Sequence, residues 1–142
     1  MYHPYFRGKQ YELITVREMA PLLKTAGFRP IIEPVRETLS GLQKALDAIV
    51  LEGGSAIVIV NPHHGDLSDS GEPLTEFLNN EFLGSPHISA GILLTQRMTL
   101  DDAVQCYKAH SEHRPAFIHT GFSDAKGLAE KLGQPTKSQH HI

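Results

Sequence analysis

The chain contains one cysteine, Cys106, so no disulfide can form within it, and a lone thiol suits the reducing cytoplasm. No run approaches the roughly 20 apolar residues of a membrane span. The polar opening Met1-Tyr2-His3-Pro4 lacks the apolar core of a secretory signal. Both features point to a cytoplasmic protein with no membrane partner. The net charge of -3 supplies no general basic field, which argues against non-specific nucleic-acid binding by the whole surface. It leaves room for a local basic patch and leaves nucleic acid open as a partner. Several catalytic signatures are missing too. There is no GxSxG, no P-loop and no GxGxxG, so a nucleophile elbow and a glycine-rich nucleotide cradle are both disfavoured. No spacing of the HExxH or CxxC kind announces a metal.

What is present is rhythm. The clearest stretch is Ala56-Ile57-Val58-Ile59-Val60-Asn61-Pro62-His63-His64-Gly65-Asp66. Its apolar, mostly β-branched run shows no alternation, the mark of a strand buried on both faces of a parallel sheet. At its end the character flips to an amide, two imidazoles, a glycine and a carboxylate. In parallel α/β folds, ligands gather at that end of the strands.

The same design repeats along the chain. A short aromatic strand over residues 2–6 leads through a polar turn to a helix whose apolar positions are Leu13, Val16, Met19 and Leu23, ending at Gly27. Pro21 inside it predicts a kink or a restart. A second strand spans 29–35, and a second helix carries Leu42, Ala45, Leu46, Ile49 and Val50 up to Gly53-Gly54. After the third strand and a loop over 65–72, Pro73 opens a helix with Leu74, Phe77, Leu78 and Phe82. A fourth strand over 88–95 contains Gly91, which admits a close neighbour. Thr99 then caps a fourth helix with Asp101-Asp102 in its first turn. A fifth strand over 115–120 precedes a fifth helix, capped by Ser123 and closed by Gly133. Residues 1–133 thus read as one α/β domain of five βα repeats around a parallel sheet, with a flexible tail over 134–142. Two architectures fit: a partial TIM-barrel-like arrangement, and a flavodoxin-like open sheet.

Two segments carry a resemblance. Tyr2-His3-Pro4-Tyr5-Phe6-Arg7-Gly8-Lys9-Gln10-Tyr11-Glu12-Leu13, with Arg17-Glu18 and Pro30-Ile31-Ile32-Glu33-Pro34-Val35, resembles the opening of the "beta protein" family. The Asn61-Pro62…Gly65 turn is similar as well. These are largely uncharacterised bacterial and phage proteins with TIM-barrel-like folds. The resemblance covers roughly residues 2 to 66 and implies a barrel-like fold and, for some members, a phage-defence setting. Members are typically about twice this length, so the five units here read as a truncated member, a half-barrel that dimerises, or an open sheet rather than a closed eight-stranded barrel.

With parallel strands, their C-terminal ends bring together Arg7 and Lys9, then Glu33, then Asn61, His63, His64 and Asp66, then Gln96 and Arg97, then His119. Cations, carboxylates and imidazoles on one rim suit a phosphate-bearing ligand, with Arg binding in bidentate fashion and Lys as a point charge. Glu33 and His63 are the candidate catalytic pair, able to exchange protons near neutral pH. Arg7, Lys9, Asn61, His64, Asp66 and His119 are candidate ligand-binding groups. Each has a structural counterpart: a solvated turn at Arg7 and Lys9, a strand-pinning ion pair at Glu33, loop histidines at 63 and 64, a core histidine at 119. His63, Asp66, Glu33 and His119 are a weak metal set, and no particular cofactor is implied. Cys106 lies mid-helix on a pattern that favours burial. The expectation is a TIM-barrel-like domain that binds or hydrolyses a phosphate-bearing ligand. Its rival is a non-catalytic scaffold or binding subunit of a complex. A five-unit barrel fragment also leaves edges and an inner face uncovered, which predicts a homodimer or a covering partner protein.

Overall fold

The computed structural model describes residues 3–36, 38–62, 65–67, 71–120 and 140–141. Strands and helices alternate in chain order: β1 (Tyr5–Arg7), α1 (Gln10–Ala26), β2 (Ile31–Glu33), α2 (Ser40–Leu51), β3 (Ala56–Ile59), α3 (Glu72–Glu81), β4 (Ile88–Thr95) and α4 (Leu100–Ala109). A 3-10 turn, Ser111–His113, then leads into β5 (Ala116–Thr120). The helix expected after Ser123 lies outside the described residues. The tail, expected to be flexible, contributes the two-residue β6 (His140–His141). Among the described residues, no helix is long and apolar enough to cross a membrane.

All strand pairs are parallel, and the order across the sheet is β1-β2-β3-β4-β5-β6. Sequential order is how a βα barrel lays down its strands, whereas a flavodoxin-like sheet runs 2-1-3-4-5. The topology therefore matches the partial-barrel reading, with β1 and β6 as open edges. Right-handed crossovers place consecutive helices on one side of such a sheet. The main core shows that result. Leu13, Val16 and Leu23 of α1, Leu42 and Leu46 of α2, Leu74 and Leu78 of α3 and Ala103 of α4 share it with Ile32, Val58, Ile92 and Phe117.

The alternate strand residues build a second cluster on the other face: Ile31, Ile57, Ile59, Leu93, Ala116 and Ile118. None of these six is more than 6% exposed. Gly91 explains how they pack. A Cβ there would meet Ile57 Cγ2 at 2.6 Å and the Cδ1 atoms of Ile59 and Ile118 at 2.9 Å, so side chains of β3 and β5 close over the empty position on β4. Arg29, just before β2, reaches across β3 to donate from Nη2 to Ser89 Oγ of β4 at 2.7 Å. Open edges are one of two grounds for expecting a partner, and an uncovered inner face is the other. At these six positions that ground is absent, because the chain buries them itself.

Pro21 does not restart α1, which is one helix of 17 residues. Proline removes the N–H that would bond the Arg17 carbonyl, but both residues lie on the exposed side, where water satisfies that oxygen. The buried stripe Leu13, Val16, Ala20 and Leu23 runs on past the defect. Gly27 then ends the helix at φ 71°, with Phe28 N–H on the Leu23 carbonyl at 2.9 Å.

Candidate functional site

The site begins with a register. β1 and β2 pair so that Arg7 faces Glu33 directly, at the same end of the sheet. Strand alternation puts Tyr5 on the same face as Arg7. The Tyr5 hydroxyl donates to Glu33 Oε1 at 2.7 Å, and Glu33 is 1% exposed. Burial first, and then this bond to the carboxylate, hold the Tyr5 phenol above its ordinary range. Glu33 is therefore a satisfied, enclosed carboxylate that ties the first two strands together. Its backbone adds to the tie, because Gly8 N–H donates to the Glu33 carbonyl at 2.8 Å. The approach is close at Gly8: a Cβ would lie 3.2 Å from Pro34 Cα.

Beyond this tie the loop after β3 packs against the segment leaving β2. Asp66 N–H donates to the Val35 carbonyl at 2.9 Å. Gly65 sits at φ +81°, and a Cβ on it would overlap the Val35 carbonyl oxygen. The result is a cleft of about 330 Å³ lined by Arg7, Lys9, Val35, Arg36, Gly65 and Asp66. Among the described residues three cations and one carboxylate, all exposed, surround it. Flexible cations converging on a hollow favour a compact anion with several acceptor oxygens.

Three of the predicted residues, Arg7, Lys9 and Asp66, thus come together. Glu33 lies beside them in register but does not line the cleft. Asn61 has another job: its Nδ2 donates to the Leu93 carbonyl at 3.0 Å and its Oδ1 accepts from Leu93 N–H at 2.9 Å. The carboxamide continues the β3–β4 ladder past the last paired residue of β3. His119 pairs in register with Leu94 and alternates with Phe117, which puts it on the helix side of the sheet, away from the face of Arg7 and Glu33. Gln96 and Arg97 are exposed in the turn after β4 and line neither cleft nor core. His63 and His64 lie outside the described residues. Among the described residues no group of three or more His, Cys, Asp or Glu side chains is placed to hold a metal. Cys106 is partly buried, and burial pushes its thiol up to about 11, which makes it a poor nucleophile.

Two residues of the site were not anticipated from the sequence. Arg36 follows a Pro-Val pair in a loop with no periodicity to place it. Tyr5 was legible in principle, since it precedes Arg7 by two positions and must share its face. Comparison with protein-family models, with curated proteins and with solved structures finds no match to this chain.

Proposed function

We propose that this molecule binds a small phosphate-bearing ligand in the cleft at the C-terminal ends of β1 and β2. One observation carries the reading: Arg7, Lys9 and Arg36, from two successive strand ends, line a single hollow with Asp66 as its one carboxylate among the described residues. Arg7 and Arg36 provide forked donors to phosphoryl oxygens, and Lys9 provides a mobile point charge. Asp66 sets a limit on how much negative charge the cleft accepts, or receives a hydroxyl next to the phosphate. In this reading Glu33 is a positioning residue, because its burial against Tyr5 keeps it from the ligand. The molecule is then a binding protein rather than a hydrolase. That same enclosure of Glu33 is what favours the scaffold reading, in which the carboxylate only pins two strands. The likeness of residues 2–66 to the beta protein family adds a phage-defence setting to the proposal.

Titration calorimetry with inorganic phosphate at low ionic strength tests it. Lys9→Ala and Arg7→Ala should each weaken binding about tenfold, equivalent to about 1.4 kcal/mol. Their melting temperatures should match the wild type, since both side chains are exposed. Wild-type protein with no measurable affinity, or variants that bind as well as it does, would leave only the scaffold reading.

A further inference from the structure

A second cavity, of about 380 Å³, lies against the first turns of α1 and α2. Its apolar wall is Leu13 and Ile14, and its cations are Arg17 of α1, Arg36 of the loop after β2, and Lys44 of α2. Thr38 and Ser40 add hydroxyls, and among the described residues no Asp or Glu lines it. Among the described residues none of the three cations has a hydrogen-bond or ion-pair partner. In a chain of net charge -3 this is a local excess of one sign. Like charges gathered at a recess against apolar atoms repel one another, and an anion seated among them offsets that cost. The volume suits a small molecule. Arg36 lines this cavity and the rim cleft alike.

We infer that this cavity is a second anion subsite, and that Arg36 joins it to the rim cleft, so that the ligand is a small molecule carrying two phosphoryl groups. One phosphoryl group sits among Arg17, Lys44 and the hydroxyls, with the apolar part of the ligand over Leu13 and Ile14. The other sits with Arg7 and Lys9. The two-group ligand rests on the proposed phosphate reading of the rim cleft, whereas occupancy of the second cavity stands by itself.

The test is an amide chemical-shift titration, first with inorganic phosphate and then with tripolyphosphate. Amides of Lys9 and Asp66 report on the rim cleft; those of Ile14, Gly41 and Lys44 report on the second cavity. Both groups should shift with phosphate, each with its own saturation curve. In the double variant R17A/K44A the second group should fall silent while the first still titrates, and an unchanged melting curve should show that the variant is folded. Tripolyphosphate should bind the wild type on the order of 100-fold more tightly than phosphate, because its second anchorage is intramolecular. In R17A/K44A that advantage should collapse. Shifts confined to the first group, or second-group shifts that persist in R17A/K44A, would overturn the second subsite and leave the rim reading standing. Shifts confined to the second group would overturn the rim reading and with it the two-phosphoryl ligand. A tripolyphosphate advantage equal in wild type and R17A/K44A would overturn the joining of the two sites.

Discussion

His113 is held between the 3-10 turn and α3 with one ring nitrogen committed and the other enclosed. Its Nε2–H donates to Asn79 Oδ1 at 2.8 Å, while Nδ1 is buried with no hydrogen-bond partner among the described residues. A second proton would have to be placed on Nδ1. Burial first, and neighbouring His110 next, hold His113 below its ordinary value, with Glu112 opposing. The folded state therefore prefers the neutral ring, and the unfolded chain binds the proton more readily. Stability from this group is present above pH about 6.5, the ordinary histidine value, and is lost as pH falls from there through the lowered folded-state value. His113→Gln keeps an amide donor near Asn79 and removes the titration. The drop in melting temperature between pH 7.5 and pH 5.5 should be smaller in that variant than in the wild type. An equal drop in both would show that His113 carries none of the acid sensitivity. Single residues also show where sequence reading fails. Asn61, polar at a strand end, reads as a ligand group, but its amide completes the backbone ladder to Leu93. Nothing in the sequence distinguishes those uses, because both need a carboxamide at the end of a strand.

At the scale of elements, local chemistry in the sequence is a good guide. The β4 bounds follow from an apolar run ended by polar residues. The α4 start follows from Thr99, whose hydroxyl accepts Asp102 N–H at 3.1 Å while Asp102 Oδ2 accepts Thr99 N–H at 3.2 Å. Ile31, Ile32, Val58 and Ile59, expected in the core as β-branched residues covered on both faces, are each at most 3% exposed. At α1 proline does not break the helix, because the energy of a buried stripe exceeds the cost of one missing hydrogen bond. That cost should still be measurable. Pro21→Ala restores a donor for the Arg17 carbonyl and exchanges the worst helix former for the best. It should stabilise the protein by on the order of 1–3 kcal/mol in urea unfolding, less whatever the looser unfolded chain takes back. A destabilised Pro21→Ala protein would mean that the proline serves packing in α1 rather than interrupting it.

For the whole molecule, what matters is which strand lies beside which, and periodicity cannot say. It tells which side of each strand or helix is apolar, and both a barrel-like and a doubly wound sheet satisfy the same pattern. The sequential order, with four helices sharing one core and six isoleucine, leucine and alanine side chains closing the other face, decides the matter. The same order sets the ends of β1 and β2 side by side and brings five cations to one end of a chain whose net charge is -3: Arg7, Lys9, Arg17, Arg36 and Lys44. Arg7 and Lys9 were legible as a strand-end pair; Arg17 belonged to a helix and Arg36 to an unpatterned loop, so only the fold could gather them. Arg36 stands at the centre of this account because both hollows share it. Its side chain is exposed, so its removal should leave folding untouched. The most direct measurement is calorimetric titration of pyrophosphate into the wild type and Arg36→Ala at low ionic strength, where a surface charge acts with least screening. The account predicts binding by the wild type and a loss of at least about tenfold, some 1.4 kcal/mol, in Arg36→Ala at the same melting temperature. Equal affinities in the two proteins, or no binding by the wild type, would contradict it.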